Sequence, residues 1–226
     1  MKTRFTAGFL IAVYTAAPLF RDMLSLKAND LSKRFGHLKV FSGIAFELTT
    51  GESIALVGRN GSGKSTLVMT LLGQYRPNKG SVEYLRDGKP MDESEIRRQT
   101  ALVSPYLNLY DQLSAEENLK FFAAVSGASV TGKHIDELLN LVGLAGRGSD
   151  LVGGYSSGMK QRLKYAVALL KDPGILFLDE PTSNLDSAGR EIVRGIIERD
   201  RDKRIVVIAT NETGEYDLAS RRCELG

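Results

Sequence analysis

Short, unbroken apolar runs recur along this chain between segments whose apolar positions follow helical spacing. Ile54-Ala55-Leu56-Val57, Ile175-Leu176-Phe177-Leu178 and Ile205-Val206-Val207-Ile208 are each four residues long. Runs this short, without alternation, predict strands buried on both faces. Gly43 to Leu48 alternates with period two and predicts a half-buried strand, and Ser81 to Leu85 is a further short strand. Thr49-Thr50-Gly51-Glu52 reads as the turn before the next strand. Thr66 to Leu72 reads as a helix stopped by Gly73. A helical stretch runs from about Ala115 to Leu170, broken by Gly127, Gly132, Gly143, Gly146 and Gly148. Ile192, Val193, Ile196 and Ile197 mark an amphipathic crossover helix between the last two buried runs. Strand, helix, strand in this order predicts an α/β fold, a parallel sheet covered by helices. The helical middle, about residues 100–165, is expected as a lobe inserted into a single domain spanning 24–226. No internal repeat, heptad array or low-complexity tract interrupts this order.

Composition narrows the class. With 42% hydrophobic and 25% charged residues, the chain is ordinary for a soluble globular protein. Two of the three net positive charges lie in Met1–Asp22, where Lys2, Arg4 and Arg21 stand against Asp22. What remains is no electrostatic footprint for nucleic acid. Cys223 is the only cysteine, so no intrachain disulfide can form. The N-terminus is less ordinary. Lys2 and Arg4 precede an uncharged stretch from Phe5 to Phe20 that ends near Ala16-Ala17-Pro18, in outline a signal peptide. It is shorter than the roughly 20 apolar residues a spanning helix needs. Residues 1–22 therefore admit three readings: an extension upstream of a true start at Met23, a hydrophobic helix lying on a partner or membrane surface, or an export signal.

The strongest chemical statement is Gly58-Arg59-Asn60-Gly61-Ser62-Gly63-Lys64-Ser65, followed by Thr66 at the head of a helix. Glycines in this spacing let backbone N–H groups close on a phosphate without side-chain obstruction. Lys64 supplies a point charge for the β- and γ-phosphates, and the Ser65 hydroxyl suits Mg²⁺. Asp179 and Glu180 follow the run Ile175–Leu178, at the strand edge where parallel sheets bind ligands. Asp179 is the candidate Mg²⁺ ligand, directly or through water, and Glu180 the candidate general base for an attacking water.

Between these two motifs stands Tyr155-Ser156-Ser157-Gly158-Met159-Lys160-Gln161-Arg162, and with it the chain resembles the ATP-binding cassette family from about Leu24 onward. The resemblance implies a nucleotide-binding core with a parallel sheet, antiparallel strands near the N-terminus and an inserted helical lobe. It also implies ATP and Mg²⁺ as ligands. The family signature Leu-Ser-Gly-Gly-Gln appears here as Tyr-Ser-Ser-Gly-Met, with Ser156 and Gly158 at the two positions that meet the γ-phosphate of a nucleotide on a second subunit. Pro181 to Asp186 resembles the loop that touches that subunit, and Phe35 matches the aromatic that stacks on adenine.

Two positions depart from the pattern. The register set by Leu109-Tyr110-Asp111-Gln112-Leu113-Ser114 puts Pro105 where the family has a glutamine, and proline offers neither a side-chain hydrogen bond nor an N–H. Asn211 stands where the family has histidine; its amide can donate but cannot carry a positive charge. One lost charge-assisted contact is worth about 1.5–3 kcal/mol, so slowed hydrolysis is expected with Glu180, Lys64 and Asn211 as its catalytic set. The resemblance implies a subunit that dimerises with a second cassette around ATP and drives a separate transmembrane permease, of exporter type, from the cytoplasmic face of the membrane. A catalytically weak regulatory subunit of a heterodimer and a soluble cassette of an assembly machine are the alternatives.

Overall fold

The computed structural model describes residues 22–226. The readings of the N-terminal leader, Asp22 apart, lie outside the described residues. Two sheets form the frame. Four antiparallel strands are ordered β2-β1-β4-β5: β1 (Leu24–Phe35), β2 (Leu38–Thr49), β4 (Lys79–Arg86) and β5 (Lys89–Pro90). Five strands make the second sheet in the order β6-β7-β8-β3-β9: β3 (Ser53–Val57), β6 (Thr100–Val103), β7 (Ile175–Asp179), β8 (Ile205–Thr210) and β9 (Arg221–Glu224). Every pairing in this second sheet is parallel.

The continuous apolar runs explain why the parallel sheet sits in the middle. Side chains alternate across a strand, so a run without polar interruptions must be covered on both sides. Ile175, Phe177, Ile205 and Val207 join the core shared with the antiparallel sheet and helix α1 (Lys64–Leu71). Their neighbours Leu176, Leu178, Val206 and Ile208 join the opposite core, with the remaining long helices. Those helices are α3 (Ala115–Ser126), α4 (Gly132–Leu141), α5 (Ser157–Leu169) and α6 (Ser187–Asp200). The short helix α2 (Glu93–Gln99) precedes β6 and has no buried residue.

Sequence-encoded caps set the helix starts. Ser114 and Glu117 form a reciprocal capping box on α3, Thr131 caps α4, and Asp186 caps α6 by accepting the Gly189 N–H at 2.8 Å. Gly127 ends α3 in the left-handed region. Gly132, read as a break, instead opens α4 behind the Thr131 cap. Thr100–Val103, at the near edge of the expected lobe, is a strand of the parallel sheet, so the helical layer follows it. The crossover helix is present as α6, with Val193, Ile196 and Ile197 buried.

At the start of β4 the pairing with β1 slips between Asn29 and Ser32, and Gly80 occupies the irregularity at φ +85°. A Cβ there would lie 2.1 Å from the Asn29 carbonyl oxygen and 2.5 Å from that of Asp30. Gly88 has a similar φ of +76° but open space around it. Gly80→Ala is therefore expected to cost at least about 2–3 kcal/mol by urea unfolding, through backbone displacement added to left-handed strain. Gly88→Ala, with strain alone, is expected to cost about 1 kcal/mol.

Candidate functional site

The Gly58–Gly63 loop leaves the carboxyl end of β3 and enters α1. Gly63 has φ +97°, and a Cβ on it would lie 2.5 Å from Val40 Cγ1, so β2 presses directly on the loop. A Cβ at Gly58 would lie 2.5 Å from Ser62 Oγ and 2.4 Å from the Leu225 carbonyl oxygen. Lys64 is 5% exposed and folds its ammonium back onto the carbonyls of Gly58, at 2.8 Å, and Arg59, at 3.0 Å. The charge is thus held at the loop's own concavity by the chain that forms it. Ser62 Oγ is buried without a hydrogen-bond partner. A buried hydroxyl left unpartnered costs about 1–3 kcal/mol, and a polar ligand in the loop would remove that cost. The orphan hydroxyl, the confined ammonium and the glycine cradle fit a polyphosphate.

Sheet order brings the carboxylates to this loop. Strand β8 lies between β3 and β7, and Ser65 Oγ, on the first turn of α1, reaches past it to donate to Asp179 Oδ1 at 3.0 Å. Asp179 is 2% exposed. Burial pushes its carboxyl above the usual range; the Ser65 hydroxyl pulls it down, Glu180 pushes it up, and Lys64 pulls it down. Glu180 is half-buried, at φ +50°, and its N–H donates to the Ala209 carbonyl of β8 at 2.9 Å. The turn that follows is pinned from three directions. Pro181 O accepts from Gln161 Nε2 at 3.4 Å and Tyr165 Oη at 3.1 Å, and Glu215 Oε1 accepts from both the N–H and hydroxyl of Thr182.

Asn211 follows β8 and donates from Nδ2 to Asn60 Oδ1 at 2.8 Å, joining it to the phosphate loop. A groove of about 730 Å³ opens beside that pair, lined by Gly58–Ser62, Asn211, Tyr216 and Glu224–Gly226. Arg59, Asn60 and Gly61 are exposed along it, while Thr66 is half-buried on α1. Phe35 is 47% exposed at the tip of the β1–β2 hairpin, so it is not a core residue. It stands edge-on to Tyr75, with ring centres 5.6 Å apart, and the Lys33 ammonium lies 4.8 Å above its ring. Ser156 caps α5 by accepting the Met159 N–H at 3.2 Å, and a Cβ on Gly158 would lie 3.3 Å from the Asn184 carbonyl. Pro105 uses its carbonyl, which accepts from Lys164 Nζ at 2.9 Å.

The structure therefore gathers Lys64, Ser65, Asp179, Asn60 and Asn211 around one loop. Ser156 and Gly158 sit apart from it at the start of α5, Ser156 as the cap and Gly158 against Asn184 and Leu185. Tyr75, Glu215 and the Asn60–Asn211 bond escape a reading of spacing. Tyr75 is a lone aromatic after a helix, and the Thr182–Glu215 pair is 33 positions apart with no local pattern. Among the described residues, no group of three or more His, Cys, Asp or Glu forms a metal cluster, and no helix is long and apolar enough to cross a membrane.

The ABC transporter family model matches residues 41–183, more than half of the chain. The chain belongs to the ABC transporter family. It is 37% identical over 172 residues to the bacitracin transport ATP-binding protein BcrA of Bacillus licheniformis, covering 76% of this chain and 56% of that one. It is 33% identical to the lantibiotic transport ATP-binding protein SrtF of Streptococcus pyogenes, covering 82% of this chain and 79% of the relative. The Nod factor export ATP-binding protein I of Burkholderia lata is 33% identical, with 86% and 66% covered. The chain thus spans between about half and two thirds of the length of several curated relatives it matches. A solved ATP-binding subunit of an ABC transporter superposes with a TM-score of 0.77 at 26% identity, over 88% of this chain and 85% of that one. The α/β cassette fold, with antiparallel strands and a helical layer, is that of the family.

The buried Asp179 carboxyl carries a testable cost. Its folded-state value lies above the ordinary 3.8, so the folded protein holds this proton more tightly than the unfolded chain. Stability from this group is therefore greatest below 3.8 and is lost as pH rises through the raised value. Asp179→Asn is expected to raise the urea midpoint of the nucleotide-free cassette at pH 7, with the gain fading toward pH 4. An equal effect at both pH values would contradict this origin.

Proposed function

We propose that this cassette binds ATP with Mg²⁺ at the Gly58–Thr66 loop, hydrolyses it, and powers a separate transmembrane permease by closing on a second cassette. The observation that carries this is the 3.0 Å bond from Ser65 to Asp179, which joins the phosphate loop to the acidic end of β7. Lys64 and the loop's N–H groups hold the phosphates, with Arg59, Asn60, Gly61, Ser62, Gly63 and Thr66 shaping the cradle from Gly58 onward. Ser65 and Asp179 would hold Mg²⁺, whose charge offsets that of the β- and γ-phosphates when bound. Glu180 takes the proton of the attacking water, and the pinned Pro181–Thr182 turn fixes where its backbone stands. Phe35 offers its exposed ring to the adenine.

One chain holds both a phosphate loop and a signature segment, and in this chain Ser156 and Gly158 are engaged elsewhere than at the loop. Two copies, or this chain and a sibling, would supply each other's missing half. Ser156 and Gly158, at the N-terminus of α5, then meet the nucleotide on the partner. The relatives named for bacitracin and lantibiotic transport support a transport role, and the one named for Nod factor export supports an exporter; with a separate permease, the cassette would act at the cytoplasmic face of the membrane. The second reading, a catalytically weak member of a heterodimer, is favoured by two observations. Asn211 spends its amide on Asn60, and Pro105 has no side-chain donor.

ATP turnover by the purified chain, beside Glu180→Gln, separates the two. Slow turnover that falls a further hundred-fold or more in the variant is expected, within the range for a general base. ATP binding without any turnover that depends on Glu180 would move the heterodimer reading ahead.

A further inference from the structure

The segment that leaves the edge strand β6 has to connect the sheet to the helical layer, and two lysines of α5 hold it. Lys164 Nζ donates to the carbonyls of Ser104, at 3.2 Å, and Pro105, at 2.9 Å. One turn earlier on the same helix, Lys160 Nζ pairs with Asp111 Oδ1 at 2.7 Å. The Asp111 carbonyl accepts from the Gly153 N–H at 2.9 Å, ahead of the same helix. Both lysines line a groove of about 370 Å³ with Pro105, Asp111, Ser157 and Asn184. Residues four apart lie on one face of a helix, so α5 presents a two-point rail to residues 104–111.

The two points are not equal. Ser104 is 1% exposed, and the Lys164 ammonium is partly desolvated, which lowers its proton affinity. The Lys164 ammonium bridges two successive main-chain carbonyls, whereas the Lys160–Asp111 pair joins two side chains, with the Asp111 carboxylate 53% exposed and open to salt screening. Pro105 offers neither an N–H nor a side-chain donor to this junction, and its carbonyl is the group that bonds there. The residue carrying the grip is seven positions beyond Ser157, on the helix that Ser156 caps and whose first turn holds Gly158.

We infer that Lys164 is a positioning residue that locks the angle of α5 to the sheet edge, and so sets where Ser156 and Gly158 stand when two cassettes close. Its ammonium bonds to Ser104 and Pro105 rather than to the phosphate loop or the acidic pair, so nucleotide affinity of a single chain does not depend on it. The inference rests on the closing reaction proposed above, but its structural half, the grip on residues 104–111, does not.

The test compares Lys164→Met, which keeps the stem and removes the ammonium, with Lys164→Arg, each in a Glu180→Gln background. Three quantities are read: the affinity for a fluorescent ATP analogue, ATP-dependent dimer formation by light scattering, and hydrogen exchange of residues 104–112. In Lys164→Met, affinity is expected within two-fold of the parent, exchange at 104–112 at least ten-fold faster, and the ATP concentration for half-dimerisation at least ten-fold higher. Lys164→Arg is expected to recover most of both changes. Unchanged exchange in Lys164→Met would overturn the grip. Faster exchange with unaltered dimerisation would overturn the positioning role, and parallel loss of affinity and dimerisation would make Lys164 merely structural. A parent that binds ATP but never dimerises would sink the closing reaction, and with it the positioning role, while exchange would still decide the grip.

Discussion

Parallel pairing in a sheet covered on both faces is the constraint on which this site depends. Because all five strands run the same way, their carboxyl ends share one edge, and each chain exit from that edge delivers something chemical. From β3 comes the phosphate loop, from β7 the acidic pair, from β8 Asn211, and from β6 the Ser104–Pro105 link to the helical layer. A single antiparallel strand in this set would send one of these groups to the opposite edge. The Ser65–Asp179 bond, 114 residues apart in sequence, is the local expression of that order.

The site also shows where the fold accepts cost. Asp179 is buried beside Glu180, Glu180 sits in the left-handed region, and Ser62 Oγ has no partner. Each is unfavourable alone; the buried Asp179 carboxylate and the Ser62 hydroxyl lie where a counter-ion or a phosphate would relieve them, while the Glu180 strain is held by the bonded turn that follows it. The surroundings supply the stability: two apolar clusters pack the sheet's faces, and the turn after Glu180 is bonded through Pro181 and Thr182 to α5 and to Glu215.

Much of this was legible in the sequence because it is written locally. Short continuous apolar runs that include β-branched or aromatic residues predict strands covered twice, so β3, β7 and β8 are readable from four residues each. The glycine spacing of the phosphate loop and the acids after β7 are equally local. What escaped depends on contacts distant in sequence. Strand β6 begins with Thr100 and offers only the three apolar residues Ala101–Val103 before Ser104, a shorter run than those of β3, β7 and β8. Glu215 reads as one acid among several until the fold places it on Thr182. Lys164 reads as a solvated helix residue until the chain from β6 folds over it. Asn211 and Pro105 were visible as departures, but their actual partners, Asn60 and Lys164, could only come from the fold.

The central claim is that one edge of the sheet is a Mg²⁺-nucleotide site built on the Gly58–Ser65 loop. Calorimetric titration of the intact chain and of Lys64→Ala with ATP, with and without Mg²⁺, tests it most directly. The account predicts Mg²⁺-dependent binding that weakens about thirty-fold or more when Lys64 is removed, with folding retained, as loss of a buried charge-assisted contact implies. Equal affinity in both proteins, or binding indifferent to Mg²⁺, would contradict it.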